Sequence, residues 1–484
     1  MNSFLKKHSI KLIIGLSILA FMLNALRFYF FPLVSTDATW TLSSLYDYLK
    51  DPSLGTSSFA HEYLGAIFNF NTLHYLLGPI FRVVELNTIN FIILHFSIIA
   101  ITAGIIWSLI GNKLAASSIV LFYVLDGYIY GFRSESYNIV LGAVMLLSWK
   151  FISNQWIKIA ISVVVVGFVG FLHPVGGIVL GITYLYLLIE NQETKGGRKQ
   201  INKNKEIIKN ILFSISVTAI VLVLFGVDKI ENMYTAYLTP SGDTENHFDG
   251  LHLDLFGKYL LLGCVFWILL FAIFWYKTKN NFFLAYIILI IAFLLVSGRS
   301  YYFPYLIIPT LAILQANDCS NLIGNLFKDS KLFRTTSIIF GLYFIGLTLL
   351  KFGSAYNTRQ TGDTYRMVLN KSKDIVKSEN SNLVFLPSQL SVENAYQSNQ
   401  RIIFPSLRTI RNQEVPKGSC VLLFSTDQLG WIQKNPTVFG SISKWKPDTL
   451  ISFRDGQYNL ASNFKKCPTP INKYGIVKYT KISD

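Results

Sequence analysis

Long apolar blocks recur along the chain, and their length limits what it can fold into more than any other feature. Each block between residues 10 and 351 holds roughly 16 to 22 residues, enough for a helix to cross about 30 Å of hydrocarbon at about 1.5 Å per residue. Hydrophobic residues make up 52% of the chain and charged residues only 14%, whereas a soluble domain is about 25% charged. The sequence therefore predicts a polytopic α-helical membrane protein.

The apolar blocks give about eleven predicted transmembrane helices. The first block is too long and too aromatic for a cleaved signal peptide and no small-residue cleavage site follows it, so we expect it to remain as a helix. The predicted spans are 10–32, 89–110, 114–131, 137–152, 158–172, 174–190, 209–227, 257–275, 282–298, 302–317 and 335–351.

Basic residues predict the sidedness of these spans. Lys6 and Lys7 precede the first span, and other basic residues follow the even-numbered spans, which the positive-inside rule places in the cytoplasm. These are Lys113, Lys158, the run from Lys195 to Lys209, Lys277 with Lys279, and the run from Lys328 to Arg334. The N-terminus is thus predicted to be cytoplasmic. The net charge of +16 reflects this topology and not nucleic-acid binding, since the basic residues form no stripe with interleaved aromatic residues.

Two regions are predicted on the outer side of the membrane. The first outer loop, 33–88, contains two short amphipathic segments, Phe59–Phe70 and Leu73–Val84, which we expect to lie in the membrane interface. The polar tail, 352–484, contains a predicted helix and three β-rich runs punctuated by Gly and Pro. These are Thr364–Lys377, Asn382–Leu386, Cys420–Phe424 and Gly475–Tyr479. The pattern predicts a transmembrane domain over 1–351 and an extracytoplasmic soluble α/β domain over 352–484.

Two of the four cysteines, Cys420 and Cys467, fall in this tail. An oxidising outer compartment permits a disulfide between them. Two buried thiols in one domain core are the alternative, and the sequence leaves both open.

Asp37 is the strongest candidate for chemistry. It follows the first span within the stretch Pro32–Trp40, whereas most other carboxylates fall in evident loops or in the tail. A carboxylate at the mouth of a membrane bundle is partly desolvated, which raises its basicity. The position predicts a catalytic base.

Arg133 and Glu135 form a second candidate, on the short outer link before the fourth span. Ionisable side chains at this depth are costly unless they pair or face a cavity. Paired, they neutralise each other, and Arg133 has donors left to hold a phosphate. The alternative is a helix-end anchor followed by an acid that caps the next helix.

Two further outer links carry candidates for phosphate binding. His173 precedes Pro174 at the break between the fifth and sixth spans, and Arg299 lies near Tyr302 at the start of the tenth. Their alternative readings are a local hydrogen-bond donor for the histidine and an aromatic belt with a snorkelling arginine for the other pair.

The sequence predicts no metal site and no certain cofactor. The loop Asp243–Asp254 holds metal-capable side chains, but they have no fixed ligand spacing, so a divalent cation there is the less favoured reading. Glu62 and His74, in the first outer loop, face either the cavity or the lipid head groups, and the sequence does not decide between them.

The order and sidedness of these motifs resemble the GT-C superfamily of membrane glycosyltransferases, which includes protein O-mannosyltransferases and the aminoarabinose transferases that modify lipid A. The resemblance rests on Asp37 after the first span, the long outer loop, the Arg133–Glu135 element and the Tyr-rich late span from Tyr302 to Pro309. It covers about 350 residues, the membrane part. Many members carry an adjacent acidic pair at the first site, but here Ala38 follows Asp37, which weakens the case for a metal built on such a pair.

The resemblance implies a GT-C-like fold for 1–351 and a reaction at the outer face of the membrane. A sugar would pass from a polyprenyl-phosphate carrier to a lipid, glycan or protein acceptor. Asp37 would then act as general base, with Glu135 as a second catalytic candidate and with Arg133, Arg299, His173 and Tyr302 as phosphate or substrate ligands.

The competing interpretation is non-enzymatic: a transporter or flippase for a lipid-linked or anionic solute, with the same charges lining its path. The absence of paired short segments in two halves, together with the large outer tail, favours the enzyme. The expected location is the inner (plasma) membrane as a multi-pass protein in contact with membrane lipids.

Cysteine labelling tests the predicted topology. Cysteines introduced at Ser241 and Ser398 should react with a membrane-impermeant maleimide in intact spheroplasts, and one introduced at Thr194 should not, because 194 precedes a basic cytoplasmic loop. Labelling at 194 alone would invert the topology and with it the side on which Asp37 lies.

Overall fold

The structure is a computed structural model of the 484-residue chain. The residues that it describes are 2–30, 73–130, 134–194, 208–219, 305–315, 365–378, 383–385, 401–403, 417–418, 420–423, 441–453 and 474–483, with residues 45, 49, 275, 284, 288–289 and 292 and several between 335 and 349.

The described part of the chain is mostly helical. Its helices are α1 (Asn2–Phe30), α2 (Leu73–Phe81), α3 (Thr88–Leu109), α4 (Lys113–Leu125), α5 (Ser134–Phe151), α6 (Gln155–Leu172), α7 (Pro174–Thr194), α8 (Ile208–Ala219), α9 (Ile307–Gln315) and α10 (Tyr365–Ser378). A 3₁₀ turn, Gly127–Tyr130, follows α4.

Two of the described helices are long and apolar enough to cross a membrane: His8–Leu26 within α1, and Thr88–Leu109, which is α3. Only about a third of each is buried within the protein. Large apolar side chains such as Ile18 and Ile93 are therefore exposed, at 59% and 58%. Faces of this kind are compatible with lipid contact, since an apolar patch this long is unusual on a soluble monomer.

Two shorter helices form the centre of the packing. In α4 nearly every residue from Leu114 to Leu125 is buried, and in α9 every residue from Ile307 to Leu314 is buried. Helices that are apolar on all sides belong in a core. Among the described elements, α9 packs against α5 and α7, and α6 packs against both α5 and α7.

Eight predicted spans overlap helices of the described residues, but their ends differ; the spans at 10–32, 209–227 and 302–317 overlap α1, α8 and α9. The span predicted at 114–131 ends as α4 at Leu125, because Asp126 takes an extended conformation and caps the helix through its backbone N–H to the Tyr123 carbonyl. The spans at 89–110, 137–152, 158–172 and 174–190 correspond to α3, α5, α6 and α7. Asn112 and Asn154 begin α4 and α6 by accepting hydrogen bonds from the first free N–H groups.

Helices α6 and α7 approach each other closely at two glycines. A Cβ added at Gly177 would overlap the Cα of Gly170 and lie 2.9 Å from its backbone nitrogen. Small residues at such a crossing let two helix backbones touch, which is a common basis of association within lipid.

A five-stranded mixed sheet is formed by the described strands of the tail. The strands are β1 (Leu383–Phe385), β2 (Arg401–Ile403), β3 (Cys420–Leu423), β4 (Trp445–Phe453) and β5 (Tyr474–Lys481). Their order is β2-β1-β3-β5-β4, with β1 parallel to β2 and β3, and β5 antiparallel to β3 and β4. The three β-rich runs predicted from the sequence correspond to β1, β3 and β5, and the predicted helix at 364–377 corresponds to α10.

The chain divides into two compact units. The first contains Met1–Met22, His95–Leu238 and Glu245–Leu347, and the second contains Leu23–Leu94, Thr239–Thr244 and Thr348–Asp484. The boundary at 351/352, the count of eleven spans and the outer location of the tail stay predictions. The segment Phe59–Phe70 and the spans 257–275 and 282–298 lie largely or wholly outside the described residues.

The glycine crossing gives a test of the packing. Gly177→Ala should lower the stability of the detergent-purified protein by about 1–3 kcal/mol, because the added methyl overpacks the contact with Gly170. Gly104→Ala, on α3, is the matched control: nothing lies within 4 Å of its added Cβ, and alanine favours a helix by up to about 1 kcal/mol. Equal melting temperatures for the two variants would contradict the close approach.

Candidate functional site

The first turn of α5 is unusually polar for its burial. Glu135 is 4% exposed, and Ser136, Tyr137 and Asn138 are fully buried. Burying polar groups costs free energy unless they find hydrogen-bond partners. Where these four side chains find partners therefore shows which segments the turn holds together.

The backbone carbonyl of Ile129, in the 3₁₀ turn, anchors two of the neighbouring helices. Ser136 Oγ donates a hydrogen bond to it at 2.7 Å, and His95 Nε2, from α3, donates another at 2.7 Å. A carbonyl only accepts, so the His95 proton in this bond is on Nε2. The His95 ring also meets the Tyr137 ring edge-on, with centroids 5.8 Å apart.

Asn138 connects α5 to the start of α9, 167 residues later in the chain. Its Nδ2 donates to the hydroxyl of Tyr305 at 2.8 Å, and both side chains are fully buried. Gly176, in the first turn of α7, makes this arrangement possible. A Cβ at Gly176 would lie 2.8 Å from the Tyr305 hydroxyl and 2.9 Å from Asn138 Nδ2.

His173 lies at the break between α6 and α7, as the sequence predicts. It caps α6 in an extended conformation, with its N–H donating to the Val169 carbonyl at 2.7 Å. Pro174 then begins α7, a position where its missing N–H costs nothing. The His173 carbonyl accepts from the Gly177 N–H at 3.1 Å, which fixes the turn directly before Gly176.

Three segments singled out in the sequence therefore meet in the first unit: the Glu135 turn, the His173–Pro174 break and the start of the Tyr-rich late span. We call the contacts among Asn138, Gly176 and Tyr305, which lie one helical turn from Glu135, the α5 polar cluster. Of the predicted site residues, the structure describes Glu135 and His173 here. Asp37, Arg133, Arg299 and Tyr302 lie outside the described residues.

The remaining predicted residues are described in part or not at all. Cys420 is the first residue of β3, while Cys467 lies outside the described residues, so their disulfide stays a prediction. His74 is the second residue of α2, and Glu62 and the loop 243–254 are outside the described part. Across the residues that are described, no group of three or more His, Cys, Asp or Glu side chains is placed to hold a metal ion.

The opposite ends of α5 and α6 carry cations. Lys150 donates to the last carbonyls of α3, those of Ser108 and Leu109, the latter at 3.0 Å. Lys158 lies over the ring of Trp149, 5.6 Å from its centroid. The two ends of this helix pair thus differ in chemistry, with lysines at one end and the buried acid at the other.

Sequence reasoning missed His95, Asn138 and the role of Gly176. One signal was available for Asn138: it lies three residues after Glu135, so the two share a helix face. His95 and Gly176 carry no such signal, because each acts on a segment distant in the sequence.

No protein-family model matches the chain, and a search of curated proteins finds no significant match.

A pair of tyrosine variants tests the cluster. Tyr305→Phe should lower stability by about 0.6–1.7 kcal/mol, the range for side-chain hydrogen bonds between membrane helices, because it removes the acceptor for Asn138 Nδ2. Tyr137→Phe should be neutral or stabilising, since the Tyr137 hydroxyl is buried with no hydrogen-bond partner in the described part of the chain. Thermal unfolding in detergent measures both. A larger loss for Tyr137→Phe than for Tyr305→Phe would refute this hydrogen-bond assignment.

Proposed function

We propose that the protein is an integral-membrane glycosyltransferase that moves a sugar from a polyprenyl-phosphate carrier to an acceptor at the outer face of the membrane. The observation that carries the proposal is the α5 polar cluster. Its contacts join the first turn of α5, which contains the buried Glu135, to the first turn of α7 directly after the His173 break and to the start of the Tyr-rich span. A structural helix contact has no need of a buried acid, which is costly within an apolar bundle.

The reaction needs one base and stabilisation of one anion. The acceptor hydroxyl oxygen attacks the anomeric carbon of the sugar, and Asp37 takes the hydroxyl proton as the new C–O bond forms. The bond from that carbon to the phosphate oxygen breaks, and its electron pair leaves with the polyprenyl phosphate. Phosphate is already a good leaving anion, so no general acid is required, unlike the two-carboxylate chemistry of glycosidases.

Cationic side chains stabilise the departing phosphate in this scheme. Arg133 and Arg299 are the principal candidates, because a guanidinium presents a fork of donors that matches phosphate oxygens. His173 and Tyr302 supply further donors. Glu135 follows Arg133 by two residues and lies at the start of α5, where it orients that arginine or serves as a base itself.

The membrane setting follows from the same topology. The N-terminus is cytoplasmic, and the cluster faces the outer side, because the lysines at the other ends of α5 and α6 belong in the cytoplasm. The tail, with its mixed sheet, is the extracytoplasmic α/β domain. An outer position suits this domain for handling a lipid, glycan or protein acceptor. The protein would be a multi-pass protein of the plasma (inner) membrane.

Substitution of the proposed base tests the reaction. Asp37→Asn keeps the shape of the side chain and removes its charge, so turnover should fall by about 10²- to 10⁴-fold while carrier binding is nearly unchanged. The measurement is release of polyprenyl phosphate from a sugar-loaded carrier by purified protein in detergent. Wild-type turnover by Asp37→Asn would remove this residue from the mechanism.

Glu135→Gln is the matched control for that experiment. A moderate loss indicates that Glu135 orients Arg133, whereas a loss equal to that of Asp37→Asn makes Glu135 the base. If wild-type protein in detergent releases no polyprenyl phosphate but moves the carrier across sealed vesicles, the protein is a transporter instead, and the enzymatic proposal fails.

A further inference from the structure

The carboxamide of Asn138 uses one of its two polar atoms within the protein. Nδ2 donates to Tyr305, but Oδ1 is fully buried and has no hydrogen-bond partner among the described residues. Such an atom costs free energy in a folded protein unless a further group pairs with it. The unpaired oxygen lies at the α5 polar cluster.

A group that both donates and accepts hydrogen bonds, such as a hydroxyl, can pair with the remaining amide atom of Asn138. The assignment of oxygen and nitrogen in an asparagine side chain rests on its hydrogen-bond network, and the Tyr305 hydroxyl accepts or donates with equal ease. In either orientation one amide atom is left over, as acceptor in one case and donor in the other. A hydroxyl serves both, whereas a phosphate oxygen serves only a donor.

The position of Asn138 indicates which hydroxyl this is. Asn138 lies three residues after Glu135, hence on the same face of α5 and about 4.5 Å further along its axis. On the α7 side, Gly176 has no side chain that would crowd Asn138 Nδ2 and the Tyr305 hydroxyl. A polyhydroxylated ring near Glu135 would therefore present a neighbouring hydroxyl to Asn138, whereas a lipid chain has none to offer.

We propose that Asn138 is a specificity-determining residue that hydrogen-bonds a hydroxyl group of the donor sugar. The proposal rests on the proposed function, and it adds a recognition element for the sugar that is separate from the phosphate-binding cations. Tyr305 is a positioning residue here, because its hydroxyl holds the Asn138 amide in place and does not itself bind the sugar.

The test separates sugar recognition from carrier binding. The probes are undecaprenyl phosphate without a sugar and the same carrier loaded with glucose, galactose, mannose or aminoarabinose. Binding is measured to the full-length purified protein. Wild-type protein should bind at least one loaded carrier more tightly than the bare one. Asn138→Leu should lower the affinity for that loaded carrier by about tenfold and leave the affinity for the bare carrier unchanged, as expected for one lost hydrogen bond.

Three further variants keep the result interpretable. Asn138→Ser should show the same selective loss and fold more readily, because serine in these helices bonds its own backbone four residues back, as Ser17 and Ser117 do. Tyr305→Phe should be less stable but retain a preference for the loaded carrier. Gln315→Leu is the matched control, since Gln315 also has an unpartnered amide oxygen, about 15 Å along the helix from Tyr305, and should leave both affinities unchanged.

The outcomes distinguish this inference from the proposed function. Suppose that the wild-type protein turns over substrate but Asn138→Leu loses affinity equally for the bare and the loaded carrier. Asn138 is then structural, and this inference alone is overturned. If the wild-type protein turns over substrate and Asn138→Leu changes neither affinity, Oδ1 is hydrogen-bonded by water, and the inference is also overturned. If wild-type protein neither turns over nor prefers any loaded carrier, the proposed function and this inference fail together.

Discussion

The requirement that buried polar groups find partners inside the protein governs this structure. Within a membrane, a helix bundle has no water along its apolar outer faces, so hydroxyl and amide groups must bond to their own helix or to a neighbour. Most of the described ones bond to their own helix. Ser17, Thr102, Ser117, Thr183 and Thr310 each donate to the carbonyl four residues back. Each of these bonds satisfies a hydroxyl donor within its own helix, so burying the hydroxyl costs little.

The described side-chain hydrogen bonds that cross between helices mark the places where the bundle is held in register. Ser337 donates to Ser118 at 3.2 Å, the hydroxyls of Tyr184 and Ser214 lie 2.6 Å apart, and Trp149 donates to Ser162 at 2.8 Å. Each of these joins two side chains that satisfy one another. The Asn138–Tyr305 bond differs, because the amide keeps an unused atom after it forms. Gln315 also keeps an unused amide oxygen, so such an atom points to a ligand only where other candidate residues lie beside it.

The sequence predicted elements whose signal is local and missed those set by distant partners. Spans such as α3 and α6 follow from long apolar runs, and the break at His173 follows from Pro174. Strand β4 gives no such signal, since Pro447 and Asp448 disfavour strands. The structure places β4 at the edge of the sheet, paired with β5 alone, where a proline is tolerated. Strand β2 has three residues, too few for a pattern to show.

The same distinction applies to the candidate site. Glu135 and His173 stand out in a sequence because ionisable residues near the ends of apolar spans are rare. Asn138 and Tyr305 become candidates only because they contact each other across 167 residues and because a glycine on a third helix leaves room for them. A carboxylate and an amide one turn apart on a buried helix face serve two different tasks. A carboxylate can carry a charge, whereas a neutral amide contributes only directional hydrogen bonds. Under the proposed function, the carboxylate would orient a phosphate-binding cation or act as a base and the amide would select the sugar, and the first turn of α5 has one of each.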